Sequence, residues 1–88
     1  MSEPTGDMRI LIEQVAKALV DDPVQVSVNP VEEGGETVLE LTVGPNDLGR
    51  VIGKQGRTAA ALRMLASSAG EKEGKIVTLE IRDAVYKG

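Results

Sequence analysis

The sequence contains neither cysteine nor histidine, and these absences exclude much enzymatic chemistry. Disulfides, thiolate or imidazole metal ligands, a cysteine nucleophile and the usual general base at neutral pH are all ruled out. The remaining carboxylates, lysines and hydroxyl groups would need a deep pocket to act as catalysts. Because a chain of 88 residues seldom encloses one, we expect a binding protein that is not an enzyme and uses no metal, cofactor or small-molecule substrate.

Long apolar runs are also missing. No segment reaches the roughly 20 apolar residues that span a membrane, and the polar, acidic start of the chain does not resemble a signal peptide. We therefore expect a cytoplasmic protein that does not enter membranes. With 41% hydrophobic and 27% charged residues the chain can form one globular core. We assign residues 7–83 to a single domain, flanked by a flexible N-terminal tail (1–6) and a C-terminal tail (84–88).

Charge is distributed unevenly along the chain. The net charge of −4 argues against a protein that coats nucleic acid by bulk electrostatics. No acidic residue occurs between Asp47 and Glu71, however, so this window carries +4 and the remainder −8. The basic residues of the window are Arg50, Lys54, Arg57 and Arg63. Positive charge is therefore concentrated in one segment.

Three segments show helical spacing of apolar residues. The first runs from Met8 to Leu19, with Asp7 as a candidate N-cap and Asp21-Asp22-Pro23 as the stop. The second is very short, from Leu48 to Ile52, and Asn46 or Asp47 can cap it. The third ends at Gly70, a natural residue for a helix C-terminus. Its apolar stripe comprises Thr58, Ala61, Leu62, Leu65, Ala66 and Ala69.

Three other segments alternate apolar and polar residues, as half-buried strands do. They are residues 24–28, which Pro30 terminates, residues 36–43 after a loop with Glu32, Glu33 and two glycines, and residues 77–82. The order α-β-β-α-α-β predicts an antiparallel hairpin followed by a right-handed parallel crossover, with the second strand in the centre. We therefore predict an α+β fold whose mixed three-stranded sheet carries all three helices on one face.

The segment Gly53-Lys54-Gln55-Gly56 lies between the two later helices. Glycines in a tight turn have an ordinary structural explanation, because they tolerate positive φ. Here the turn also leads into the N-terminus of a helix, where unpaired backbone N–H groups attract anions. Arg57 in the first helical turn is unfavourable unless an anion binds. Apolar and small residues on both sides leave room for unstacked bases, which suits single strands better than duplexes.

The run Leu48-Gly49-Arg50-Val51-Ile52-Gly53-Lys54-Gln55-Gly56-Arg57-Thr58 resembles the signature of KH domains, and the element order is similar to their type II arrangement. A short chain with this motif is most similar to the small bacterial KhpA family. The resemblance implies binding of single-stranded RNA by a post-transcriptional regulator or RNA chaperone, with a link in some bacteria to cell shape. It also implies a homodimer, a heterodimer with a larger KH-containing protein, KhpB, or both.

The resemblance further implies roles for individual residues. The loop Gly53, Lys54, Gln55 and Gly56 would grip the phosphate backbone, with added charge from Arg50 and Arg57. The base groove would be lined by Ile52, Thr58, Ala61 and Leu62, with the strand from Lys75 to Arg82 at its far edge. The loop from Pro30 to Gly35 would correspond to the family's variable loop, and its two glutamates would repel phosphate if it folded over the groove. The scarcity of aromatic residues fits recognition by hydrogen bonds and apolar contacts.

One alternative function remains open. The chain could be a protein-interaction or dimerisation module without a nucleic-acid role, in which Met64 and Leu65 of the third helix meet a partner. A nucleotide-binding P-loop is excluded, because the chain has three residues between Gly49 and Gly53 where that motif needs four, and Gln55 follows the lysine where it needs Ser or Thr.

Overall fold

The computed structural model describes residues 4–84 and contains three α-helices and three β-strands in that part of the chain. The elements are α1 (Pro4–Leu19), β1 (Ser27–Glu33), β2 (Glu36–Val43), α2 (Leu48–Ile52), α3 (Arg57–Lys72) and β3 (Ile76–Asp83). Short 3-10 turns span Pro23–Gln25 and Pro45–Asp47, and Lys54–Gly56 form a tight turn in which Gln55 and Gly56 are left-handed. The predicted element order is confirmed.

The sheet is mixed and has β2 in its centre, as predicted. β1 pairs with β2 antiparallel, and β2 pairs with β3 parallel, so that Leu39 lies opposite both Pro30 and Leu79. Alternate residues of β2 are buried, which places one face of the sheet against the helices. Among the described residues the core comprises Ile12, Ala16, Val26, Val28, Leu39, Leu41, Val43, Val51, Leu62, Ala66, Val77 and Leu79. The predicted α+β fold of the type II KH arrangement is thus confirmed.

The first strand differs from its prediction. Val24 lies in a 3-10 turn and is 90% exposed, and β1 begins only at Ser27. The strand then continues through Pro30 to Glu33, where the sequence predicted a loop. Proline is tolerated there because β1 is an edge strand, so the missing N–H can face away from the sheet. The connection to β2 shrinks to Gly34-Gly35, whose φ angles of 56° and 82° are typical of a two-residue hairpin turn.

The start of α1 also differs from its prediction. α1 begins at Pro4, so residues 4–6 are helical and Asp7 lies in the first turn and is not the cap. Proline suits a first turn, because the N–H it lacks would be unpaired there. Residues 1–3 and 85–88, which belong to the two predicted tails, lie outside the described residues. The domain limits at residues 7 and 83 stay predictions.

Gly70 does not end α3 as predicted. It is buried inside the helix, where a Cβ atom would come within 2.6 Å of the Lys75 carbonyl oxygen and 2.8 Å of Val77 Cγ2. The helix continues to Lys72 and is closed by Gly74, whose φ is 66°. The N–H of Lys75 donates to the Gly70 carbonyl at 2.8 Å, as in a Schellman motif. Gly70 therefore allows α3 to pack closely on the start of β3.

Candidate nucleic-acid interface

The turn between α2 and α3 requires glycine at position 53. Gly53 has φ 81° and ψ 172°, a backbone conformation that is essentially restricted to glycine. A Cβ atom at this position would lie 2.3 Å from Thr58 Oγ1 and 2.7 Å from Thr58 Cβ. The N–H of Gly53 donates to the Gly49 carbonyl at 2.9 Å and so closes α2. Gly53 thus folds the chain back against the start of α3.

Gly56 is a different kind of glycine. Its φ of 73° and that of Gln55, 56°, both lie in the left-handed region. A Cβ atom on Gly56 would meet no other atom within 4 Å. The space outside this residue is therefore open, and another molecule's backbone can come close to the peptide groups of the turn.

The N-terminus of α3 carries positive charge that is not neutralised locally. Gly56 occupies the N-cap position, so no side chain caps the helix, and the first turn contains no acidic residue. Unpaired N–H groups and the helix dipole make such an end attractive to anions. Helical residues 57–60 follow directly, and they begin with the exposed side chain of Arg57.

Lys54, Gln55 and Arg57 all lie exposed at this turn. Arg57 Nη2 donates to Gln55 Oε1 at 3.0 Å, which brings the two side chains to the same side of the loop. Within residues 4–84, Lys54 forms no ion pair. A lysine and an arginine beside an uncapped helix end form a surface that can bind phosphate groups.

Arg50 is placed differently from Lys54 and Arg57. Its Nη2 atom lies 2.9 Å from Asp21 Oδ2, and its Nε atom lies 3.4 Å from Asp47 Oδ1. Both contacts turn the guanidinium towards the segment between α1 and β1. The resemblance implied that this side chain adds charge at the phosphate backbone. Its pair with Asp47 has the i,i+3 spacing of a helical ion pair, whereas the pair with Asp21 could not be predicted because Asp21 is distant along the chain.

Asp47 has a structural role beside the turn that the sequence analysis missed. It occupies the N-cap position of α2, but its side chain makes no capping hydrogen bond. It is 3% exposed, and its carboxylate accepts the N–H groups of Asp21 at 3.1 Å and Asp22 at 3.0 Å. The carboxylate therefore ties the start of α2, and with it the glycine turn, to the α1–β1 segment. The sequence signals for this residue were the candidate cap at position 47 and its i,i+3 spacing to Arg50.

The structure separates the four predicted groove residues. Ile52 and Thr58 are half-buried beside Gly53, and Ala61 is exposed on α3. Leu62 is 2% exposed and belongs to the core, so its side chain is not available to a base. The buried stripe of α3 comprises Ala59, Leu62, Ala66, Ala69 and Gly70. The predicted stripe was wrong at Ala61 and Leu65, because packing on β3 selects a slightly different face of the helix.

A second surface lies between α1 and α3. Met64 is 69% exposed and Leu65 39% exposed, although both are large apolar residues. A shallow groove beside them is lined by Asp7, Met8, Leu65, Ser68, Ala69 and Lys72. This surface faces away from the sheet and is chemically distinct from the glycine turn.

Comparison with known proteins identifies the family. The family model for the KH domain of KhpA and KhpB matches residues 9–81. The chain belongs to the KhpA/KhpB KH-domain family. A protein of Halalkalibacterium halodurans named RNA-binding protein KhpA is 47% identical over 76 residues, which cover 86% of this chain and 100% of that protein.

Two further relatives bear the same name, RNA-binding protein KhpA. That of Clostridium perfringens is 50% identical over 74 residues, covering 84% of this chain and 99% of the relative. That of Aquifex aeolicus is 47% identical over 74 residues, covering 84% and 94% respectively. This KH domain therefore matches its relatives over nearly their whole length. No helix among residues 4–84 is both long and apolar enough to cross a membrane.

Proposed function

We propose that this KH-domain protein binds single-stranded RNA and grips the phosphate backbone with the turn Gly53-Lys54-Gln55-Gly56. The observation that carries the proposal is the open space outside Gly56 at the uncapped N-terminus of α3. Lys54 and Arg57 supply charge there, and the names of the relatives support RNA as the ligand. The role is binding and not catalysis.

The proposed base contacts use the small surface beside the turn. Ile52, Thr58 and Ala61 are accessible and lie next to the residues that hold the backbone. Small and aliphatic side chains accept unstacked bases, whereas the edges of bases in a duplex are turned inward. We expect the protein to prefer single strands for this reason. We further propose that the protein acts through this binding as a post-transcriptional regulator or RNA chaperone in the cytoplasm.

The salt dependence of binding tests the proposal. One short groove offers about two to four phosphate contacts, so log affinity plotted against log salt should have a slope of about −1.4 to −2.8 for a single strand. Fluorescence anisotropy with a labelled oligoribonucleotide measures this slope, and the same strand annealed to its complement is the control. A preference for the duplex, or a slope near zero, would contradict the proposal.

We also propose that α1 and α3 form a contact with a second KH domain, either another copy of this chain or a KhpB-type protein. The exposed side chain of Met64 and the groove beside Leu65 support this assignment. A dimer that presents two sites to one RNA strand has a higher effective affinity than one site, although each site makes the same contacts with RNA.

Light scattering tests the assembly proposal. The wild type should have the mass of a dimer, and Met64→Asp should shift it towards the monomer. Val24→Asp is the matched control, because Val24 is also apolar and is 90% exposed on a different surface. A wild type that stays monomeric at high concentration and captures no KH-domain partner would refute the contact, and the RNA-binding proposal would still stand.

A further inference from the structure

Arg50 forms two ion pairs, one with a buried carboxylate and one with an exposed carboxylate. Asp47 is fixed by two backbone N–H groups, and its side chain is 5% exposed where it meets Arg50 Nε. Asp21 meets Arg50 Nη2 with a side chain that is 76% exposed, and the Arg50 side chain is itself 54% exposed. Exposed ion pairs are weak and exchange readily with other anions, whereas the buried carboxylate stays in place. The contact of Arg50 Nη2 with Asp21 is therefore the one that another anion can replace.

Arg50 is close to the proposed phosphate contacts. It precedes Gly53 by three residues in a helix, which corresponds to about 4.5 Å along the helix axis. This rise separates the backbones of the two residues, and an arginine side chain that is released from Asp21 is long enough to span it and reach a phosphate bound at the turn. Arg50 contacts two carboxylates, those of Asp21 and Asp47, so the local charge on the α2 side of Gly53 is negative. On the other side of Gly53, Lys54 and Arg57 make it positive.

We propose that Asp21 restrains Arg50 and thereby limits the RNA affinity of this KH domain. With Asp21 in place, Arg50 Nη2 is directed at a carboxylate of the α1–β1 segment. Without it, Arg50 keeps its Nε contact with Asp47 and presents Nη1 and Nη2 to a phosphate. Asp21 is a positioning residue in this scheme, and the inference depends on RNA binding at the glycine turn.

Two alanine variants test the restraint. Asp21→Ala removes the carboxylate that contacts Arg50, whereas Asp22→Ala removes an equal charge from the next residue, whose side chain accepts a hydrogen bond from Gln25 at 2.7 Å. We expect Asp21→Ala to increase single-stranded RNA affinity about three- to tenfold at low salt and to steepen the salt slope by about 0.7, the value for one added phosphate contact. Asp22→Ala should change affinity less than about twofold and leave the slope unchanged.

A variant without Arg50 shows whether the gain in RNA affinity comes from release of the arginine or from the loss of one negative charge. In an Arg50→Gln background, Asp21→Ala should gain no more affinity than Asp22→Ala does. Equal gains from the two aspartate variants, a gain that persists without Arg50, or no gain at all would overturn the restraint. These outcomes leave the wild-type RNA binding intact and so differ from failure of the proposed function.

A measurement without RNA gives an independent result. In an NMR titration with inorganic phosphate, the Nη–Hη signals of Arg50 should shift more in Asp21→Ala than in the wild type or in Asp22→Ala. Equal shifts in all three proteins would refute the restraint, even if the wild type bound no RNA.

Discussion

Two turns of this protein each use a pair of glycines with positive φ, and they differ in almost everything else. The hairpin turn Gly34-Gly35 joins antiparallel strands, and a Cβ atom on either glycine would meet no atom within 4 Å. It is flanked by Glu33 and Glu36. The turn from Gly53 to Gly56 leads into a helix N-terminus, is flanked by basic residues and requires Gly53 for packing as well as for φ. Positive-φ glycines alone therefore do not distinguish the two turns, whereas the helix end and the charge do.

The two turns also lie at opposite ends of α3. That helix begins at the second turn and ends four residues before Ile76, which pairs with Glu36 beside the hairpin turn. Its 16 residues span about 24 Å. At physiological salt this exceeds two Debye lengths of about 8 Å. The acidic hairpin therefore has little electrostatic influence on the basic turn.

The largest expected effect comes from reversing the charge of the basic turn. Lys54→Asp with Gln55→Asp should abolish RNA binding and leave the fold intact, because both side chains are exposed and two carboxylates would face the phosphates. The matched control is Gln14→Asp with Lys17→Asp, which makes the same two changes on exposed positions of α1. A gel-shift assay and circular dichroism measure binding and folding. Unchanged affinity in a folded Lys54/Gln55 variant would remove the turn from the mechanism.

A smaller effect, on stability, should distinguish the glycines. Gly53→Ala should lower the free energy of unfolding by more than about 2 kcal/mol, because backbone strain of about 1 to 3 kcal/mol adds to a clash with Thr58. Gly34→Ala should cost only about 1 to 2 kcal/mol, since it has strain without a clash. Urea denaturation monitored by circular dichroism compares them. Equal losses would show that Thr58 moves aside easily.

The smallest expected effect tests the separation of the two turns. Glu32→Gln with Glu33→Gln should change RNA affinity less than about twofold, because the charges that are removed lie more than two Debye lengths from the glycine turn. Anisotropy at 0.15 M salt, roughly the ionic strength for which that screening length holds, is the measurement. A tenfold gain would mean that the hairpin approaches the bound RNA, as the variable-loop expectation implied.

The sequence predicted those features that depend on local pattern. Alternation in β2 and β3 defined their buried faces, and the crossover between them required a parallel pair with β2 in the centre. The run from Gly53 to Gly56 between two helical patterns indicated the candidate site, since glycine, charge and a helix start are all visible within a few residues. Local periodicity and turn chemistry suffice for such features.

Tertiary structure alone decided the rest, because the outcome depended on contacts between residues distant in the chain. Whether Ala61 or Leu62 faced solvent depended on how α3 rotated to pack against β3, and a helical pattern is compatible with both. Pro30 could remain in β1 only because that strand lies at the sheet edge. Arg50 pairs with Asp21 because the buried carboxylate of Asp47 holds α2 against the α1–β1 segment. A pair that depends on such a tertiary contact leaves no periodic pattern in the sequence.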